Sequence, residues 1–213
     1  MSTRSPASST GSLLYFRLLY HNPLRFPGYF NLLRDIAAKA WPPSIEIDHS
    51  MYIGVISDTH GNILRARQAM LIFREFGVER IIHCGDIGSA TVLSQFAETP
   101  VDFVLGNCDG SEADYREVLE PDRVVCHGAF GCVTIAELEI AFMHGHDQLR
   151  FDRETTSGQW NLLCYGHTHQ SALWMGCDRT VVLNPGALHR VATPSVAVVK
   201  LPEREVTHVN LRR

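Results

Sequence analysis

The chain has 213 residues, of which 45% are hydrophobic and 20% charged, and its formal net charge is −4. These proportions are ordinary for a globular protein and supply enough apolar material for a sizeable core. No cluster of Lys and Arg interleaved with aromatic residues occurs, so the sequence predicts no nucleic-acid groove and favours a small-molecule partner.

Residues 1–50 differ in character from the rest of the chain. They begin with a Ser/Thr-rich stretch and continue with an apolar run that Arg17 interrupts. This run is far shorter than the ~20 residues that a membrane span needs, and the charge makes it a poor signal peptide. Apolar spacing predicts a helix over 31–41. We interpret 1–50 as an N-terminal extension, partly helical or disordered, and hypothesise that Met51 is the functional start of the native product.

The six cysteines are scattered, and none forms a Cys-x-x-Cys pair. This spacing fits neither a disulfide framework nor a zinc finger. We therefore predict reduced thiols in a cytoplasmic protein that has no membrane span, and the sequence leaves a homo-oligomer open.

From Met51 onward the pattern is strand, helix, strand, helix, strand. An aliphatic run at 52–57 precedes apolar residues at helical spacing over 63–76, with Gly77 as a stop signal. Aliphatic runs within 80–86 and 102–109 again end in Gly and polar residues. Alternation of this kind predicts parallel βαβ units.

The second half of the chain has a different pattern. Residues 132–146 contain a hairpin-like pair of apolar runs, and five further short runs follow, within 162–169, 171–176, 180–186, 195–201 and 205–211. This pattern predicts a second, largely antiparallel sheet. Two sheets packed face to face with helices outside would bury the aliphatic residues of both halves.

Side chains able to bind metals follow five of the predicted strands. In chain order they are Asp58, His60, Asp86, Asn107, His144, His146, His167 and His169. In open α/β sheets, ligands bind beyond the carboxyl ends of the strands. In an extended chain, Asp58 and His60 would point to the same side. Oxygen and nitrogen donors without thiolates suit Mn, Fe, Ni, Co or Zn.

Each of these side chains also has a simpler interpretation. Asp58 alone is equally typical of a helix cap, and His60 of a solvent-exposed residue. Asp86 and Asn107, each beside a glycine, are typical of turns. His144 and His146 would also fit strand ends with local hydrogen bonds. The recurrence of the pattern after five strands favours a metal site.

Five segments in order, SDTHGN, CGDIG, GNCD, HGH and GHTH, resemble the signature of the calcineurin-like metallophosphoesterases, from Met51 to the C-terminus. The length and the cysteine in GNCD are similar to the small single-domain phosphodiesterase branch of bacteria and archaea. The resemblance implies a metallophosphoesterase domain over 51–213, a four-layer α/β/β/α sandwich of two mixed sheets flanked by helices. It also implies a dinuclear metal-dependent phosphodiesterase that hydrolyses a small phosphodiester or nucleotide-like substrate through a metal-bridging hydroxide.

The resemblance further implies a role for each ligand residue. The first metal is assigned to Asp58, His60, Asp86 and His169. The second metal is assigned to Asp86, Asn107, His144 and His167. Manganese is the preferred ion, with Ni, Fe, Co, Zn or Mg as alternatives. His146 is interpreted as a substrate-facing residue or as the ligand in place of His144.

Cys108 stands where the family commonly has a histidine that assists the leaving group. A thiol is a weaker hydrogen-bond donor and a poorer acid than imidazolium near neutral pH, so activated phosphodiesters should be preferred over alkyl monoesters. We count Cys108 as catalytic with the first four ligands in the chain, Asp58, His60, Asp86 and Asn107. The alternative is that Cys108 is a small buried space-filler.

Four further residues are predicted to contact substrate: Asn62, His146, Asn184 and Arg190. Asn184 and Arg190 belong to a loop over 184–190 whose Pro-Gly pair predicts a turn in the wall of the site. Two other functions share this fold and stay open: a non-catalytic scaffold, as in a retromer subunit, and a phosphomonoesterase or nucleotidase. The filled set of ligand positions favours an enzyme.

Overall fold

The computed structural model describes residues 50–212. The predicted extension over 1–50, with its helix at 31–41, lies almost entirely outside the described residues. The described residues belong to one compact unit, which spans residues 49–213. Among the helices of the described part, none is long and apolar enough to cross a membrane.

The described residues form two β-sheets with helices. The strands are β1 (Met51–Ile56), β2 (Arg80–His83), β3 (Val101–Phe103), β4 (Val124–Cys126), β5 (Phe130–Ile135), β6 (Leu138–Met143), β7 (Leu162–Cys164), β8 (Ala172–Met175), β9 (Val181–Asn184), β10 (Ser195–Leu201) and β11 (Glu205–Asn210). The α-helices are α1 (Ile63–Glu75), α2 (Ala90–Leu93) and α3 (Gln148–Thr156), and 3-10 turns cover Ser94–Phe96, Glu112–Val118 and Cys177–Arg179.

The first sheet has the strand order β11-β10-β1-β2-β3-β4. Strands β1, β2 and β3 are parallel, as the alternating pattern predicted, and β4, which the sequence did not predict, extends the parallel set. The last two apolar runs of the chain, β10 and β11, also belong to this sheet, where β10 pairs antiparallel with β1 and places Leu201 opposite Met51. Their predicted place in the second sheet was wrong, because a short apolar run carries no information about which distant strand it pairs with.

The second sheet has the strand order β5-β6-β7-β9-β8. The hairpin of β5 and β6 is confirmed. β6, β7 and β9 are parallel, however, and only the pairs at the two edges are antiparallel. The prediction of a largely antiparallel sheet was wrong because α3 forms the crossover between β6 and β7. Both sheets are therefore mixed, as the resemblance implied.

Three apolar clusters separate the layers. In β1, Ile56 packs with α1 residues such as Phe73, whereas the alternate residues Ile53 and Val55 face the second sheet. On the far side of the second sheet, Leu163 belongs to a cluster that packs against residues near α3. Successive strand residues point to opposite faces, so each sheet is covered on both sides. The predicted α/β/β/α sandwich is confirmed.

Helix α1 fixes the direction in which the chain leaves the end of β1. Its buried face consists of Ala66, Ala69, Met70 and Phe73, and Asn62 is its N-cap, accepting a hydrogen bond from the Arg65 amide at 3.1 Å. The helix is followed by Gly77, whose positive φ of 67° suits glycine. Because Asn62 fills the cap position, the helix-cap interpretation of Asp58 is excluded.

Candidate metal centre

The seven predicted ligands lie at the carboxyl ends of strands from both sheets. Asp58 and His60 follow β1, Asp86 follows β2, and Asn107 follows β3. His144 follows β6, and both His167 and His169 follow β7. The two sheets present these ends at one edge of the sandwich, so side chains more than 100 positions apart, such as Asp58 and His169, meet there.

One group of donors surrounds Asp58. Its Oδ1 atom lies 3.1 Å from Nε2 of His169 and 3.9 Å from Nε2 of His60. The two imidazole Nε2 atoms are 3.4 Å apart. The three donor atoms all lie within 4.8 Å of one another, which is close enough to share one ion.

A second group of donors surrounds Asp86, whose carboxylate also lies close to His60 of the first group. Oδ2 of Asp86 lies 3.4 Å from Nε2 of His144 and 3.5 Å from Nε2 of His60. Nε2 of His144 is 3.1 Å from Oδ1 of Asn107, and the His167 ring centroid is 5.1 Å from that of His144. Asp86 thus lies between two sets of donors.

The tautomer of His144 is set by its backbone contact. Its Nδ1 lies 2.9 Å from the Cys84 carbonyl and donates to it, which leaves the Nε2 lone pair directed toward Asp86 and Asn107. Burial lowers the pKa of His144, but the Asp86 carboxylate and the Cys84 carbonyl raise it above its usual value. His146 is exposed, with its ring centroid 5.5 Å from that of His144. His144 is therefore the better ligand of the two.

The backbone at the site is unusual. Five of the seven predicted ligands have a positive φ: Asp58, His60, Asp86, His167 and His169. Left-handed φ values are costly for residues other than glycine and are concentrated at functional sites. Asp58 and His60 therefore meet through two left-handed residues beyond the end of β1, and the prediction that an extended chain aligns them was wrong.

The buried Asp58 carboxylate provides a test of whether these residues fit a cation. Its Oδ2 accepts a hydrogen bond from the His167 amide at 3.0 Å, but its Oδ1, fully buried, has no hydrogen-bond donor among the described residues. A buried carboxylate oxygen without a donor is costly unless a positive charge faces it. The surrounding oxygen and nitrogen donors suit a divalent metal, so the residues present fit such ions.

A cleft of about 370 Å³ opens onto these donors. Its lining consists of His60, Asp86, Asn107, Cys108, His167, His169, His189 and Arg190. Arg190 thus lies where a substrate contact was predicted. Cys108 is exposed in the wall, which excludes the buried space-filler interpretation. A hydrogen bond to Asp86 raises the pKa of the Cys108 thiol, so the thiol stays protonated.

Three of the residues predicted to contact substrate, Asn62, His146 and Asn184, do not line the cleft. Asn62 is engaged as the cap of α1. Asn184 is fully buried, and its Nδ2 donates to the Gly166 carbonyl at 2.9 Å and to Oγ1 of Thr168 at 3.1 Å. Asn184 therefore supports the loop that carries His167 and His169. The substrate contacts of Asn62 and Asn184 stay predictions, while Oδ1 of Asn62 and Nδ2 of Asn184 hold hydrogen bonds within the fold.

Asp109 has an organising role that the sequence reasoning missed. Its carboxylate accepts hydrogen bonds from the amides of Ile87, Gly88 and Gly106 and, at 2.6 Å, from the Tyr115 hydroxyl. Burial raises the pKa of Asp109, but these donors lower it below its usual value. Asp109 joins the loop that carries Asp86 to the loop that carries Asn107. Its place at the end of the GNCD segment was the available signal.

His83 was also missed. It is fully buried at the end of β2, with Nε2 2.5 Å from Oγ1 of Thr59, the residue between Asp58 and His60. Burial lowers its pKa to about 4, so the imidazole is neutral. A histidine within an otherwise aliphatic strand was the signal in the sequence.

Comparison with known proteins identifies the family. The sequence profile of the calcineurin-like phosphoesterase superfamily domain matches residues 51–204. Phosphodiesterase MJ0936 of Methanocaldococcus jannaschii is 30% identical over 168 residues, which cover 76% of this chain and 99% of that protein.

Two solved structures extend the comparison. An archaeal phosphodiesterase superposes with a TM-score of 0.70 at 30% identity, covering 76% of this chain and 100% of its own. The phosphoesterase YfcE from E. coli has a TM-score of 0.54 at 20% identity, with 76% and 100% covered, and it supports the fold alone. The matched range contains every residue of the donor cluster. The chain belongs to the calcineurin-like phosphoesterase superfamily and is a metal-dependent phosphoesterase.

Proposed function

We propose that this protein is a dinuclear metal-dependent phosphodiesterase that hydrolyses a small phosphodiester or nucleotide-like substrate. One observation carries the proposal: a single oxygen of Asp86 lies 3.5 Å from His60 Nε2 and 3.4 Å from His144 Nε2. A carboxylate in this position serves two donor groups at once. The name of the archaeal relative supports a diester substrate.

We assign the ligands to two ions in the way that the family resemblance implied. One ion would be held by Asp58, His60, Asp86 and His169. The other would be held by Asp86, Asn107, His144 and His167. Manganese is the preferred ion, and Ni, Fe, Co, Zn or Mg suit the same donors. When bound, two divalent cations would lower the pKa of a water molecule, polarise the phosphoryl oxygens and offset the charge that builds during in-line displacement.

The remaining residues of the cleft favour a phosphodiester. The exposed Arg190 guanidinium lies in the lining and presents donors suited to non-bridging phosphate oxygens. Cys108 offers only a weak thiol donor to a leaving group. An activated diester needs little help from such a donor, whereas an alkyl monoester needs more. The phosphomonoesterase alternative is therefore less well supported, and the complete ligand set argues against a scaffold.

The direct experiment uses metal-stripped protein re-supplied with Mn, Ni, Zn or Mg. Hydrolysis of bis(p-nitrophenyl) phosphate is compared with that of p-nitrophenyl phosphate for wild type, Asp86→Ala and the control Asp152→Ala, which removes an exposed carboxylate on α3. We expect metal-dependent diester hydrolysis in wild type and the control only. Failure of every metal to restore activity would favour the scaffold alternative.

A further inference from the structure

A second groove adjoins the metal cleft. Its volume is about 530 Å³, and it shares His169 with the cleft. The loop over 189–193 continues from one to the other, since His189 and Arg190 line the cleft and Val191, Ala192 and Thr193 line the groove. A phosphate bound beside His169 would therefore have one substituent within reach of the groove.

The groove has a neutral polar lining. Apart from His169, no titratable side chain of the described residues lines it, and Gln170, Ser171, Thr193 and Asn210 are all exposed. Within residues 50–212, no hydrogen bond engages the side-chain polar atoms of these four residues. Amide and hydroxyl groups both donate and accept hydrogen bonds. The groove thus presents four free uncharged hydrogen-bonding groups beside the apolar side chains of Val191 and Ala192.

We propose that this groove binds a nucleoside, the arm of the phosphodiester that is not released. The assignment rests on the proposed function and names its substrate class. The amides of Gln170 and Asn210 match the donor and acceptor edges of a base, the hydroxyl groups match a ribose, and Val191 and Ala192 offer apolar contact to a ring.

Other arms fit the groove less well. A second phosphate would lose water without gaining a cation, because none of the described residues that line the groove is a Lys or Arg. A purely alkyl arm would cover the four polar side chains without replacing their hydrogen bonds to water. A neutral arm needs no cation, and an arm with both a ring and hydrogen-bonding groups can contact the apolar side chains and bond to the polar ones.

The test keeps the leaving group constant and changes the other arm. Thymidine 5′-(p-nitrophenyl phosphate) and methyl p-nitrophenyl phosphate both release p-nitrophenolate. Two or three additional hydrogen bonds to the nucleoside predict a kcat/KM at least about tenfold higher for the thymidine ester. Thr193→Glu, which adds a negative charge to the groove, should remove this advantage, so that the ratio of the two kcat/KM values falls toward one. Gln159→Glu, which adds the same charge at an exposed position after α3, is the matched control and should retain the advantage.

The outcomes separate this proposal from the proposed function. Hydrolysis of both esters at equal kcat/KM would overturn the groove assignment and leave the phosphodiesterase intact. An equal gain with glyceryl p-nitrophenyl phosphate would overturn the nucleoside assignment.

If neither ester is hydrolysed with any metal, calorimetry still tests the groove. Tighter binding of thymidine 5′-monophosphate than of methyl phosphate, lost in Thr193→Glu, would support it. Equal binding of the two monophosphates would overturn it.

Discussion

The two sheets contribute different chemistry to the site. The strand ends of the first sheet supply both carboxylates, the Asn107 amide and one imidazole, whereas the second sheet supplies only imidazoles, His144, His167 and His169. Each of the two predicted ligand sets takes residues from both sheets, because His169 completes the first set and His144 and His167 complete the second. Both predicted sets are therefore complete only when the two sheets are packed together.

The supports of the two halves also differ. In the first sheet, Asp109 ties together the loops that follow β2 and β3. In the second sheet, the buried Asn184 supports the loop that follows β7. A direct link between the halves is the hydrogen bond from the His167 amide to Asp58. Because this bond joins the two sheets, we expect a substitution in the loops of one sheet to lower the metal affinity of donors from the other sheet as well.

The largest effect is expected at Asp86, where the two groups meet. Asp86→Asn keeps the shape of the side chain but removes the charge between the two imidazoles of His60 and His144. We expect kcat on bis(p-nitrophenyl) phosphate to fall roughly 10³-fold, or about 4 kcal/mol in the activation free energy. Steady-state kinetics check this, with Asp152→Asn as the control. A loss below tenfold would contradict a shared carboxylate.

His83 is a buried imidazole of the first sheet, whereas the imidazoles of the second sheet are predicted metal ligands. Its pKa in the folded state is about 4, below the ordinary 6.5, so the unfolded chain binds more protons between these values. The unfolding free energy should therefore fall as the pH falls from 6.5, with about 3 kcal/mol lost once the pH is below 4. Denaturant unfolding of metal-free protein at pH 7 and 4 should show this loss in wild type and not in His83→Gln. Equal pH dependence in the two proteins would contradict a neutral buried His83.

Asp109→Asn tests the support of the first sheet. The asparagine side chain lacks the negative charge with which Asp109 binds three backbone amides and the Tyr115 hydroxyl. Positioning residues of this kind typically change metal affinity by about 10–100-fold. Calorimetric Mn²⁺ titration should show that loss, with Asp114→Asn as a control because Asp114 caps only the adjacent turn. An unchanged Mn²⁺ affinity, with only lower stability, would reduce Asp109 to a purely structural residue.

The smallest effect is expected at Cys108, which lies in the cleft wall without belonging to either predicted ligand set. Cys108→His replaces a weak donor with one that can protonate a leaving group near neutral pH. The rate on an alkyl monoester should rise about tenfold relative to the rate on an aryl diester. Kinetics on the two substrates give this ratio, and an unchanged ratio would show that residue 108 takes no part in leaving-group chemistry.

The sequence predicted which donor side chains the fold brings together, but not the residues that support them. Each predicted ligand follows a strand, so strand order alone places Asp58, Asp86 and His144 at one edge. The roles of Asp109 and Asn184 depend on backbone amides and carbonyls from distant loops, which no local pattern shows. The sheet membership of β10 depends on its pairing with β1, about 145 positions away, for the same reason. The neutral groove is formed by residues from three separate segments, and only the folded chain brings them together.

The number of metal ions that one chain binds distinguishes a dinuclear site from a mononuclear one. Metal-stripped protein, re-supplied with Mn²⁺ and freed of excess ion, is analysed by inductively coupled plasma mass spectrometry in parallel with diester hydrolysis. We expect two ions per chain in wild type, and fewer than two ions together with a loss of hydrolysis in Asp86→Asn. A single ion per chain in a fully active wild-type protein would contradict the dinuclear site.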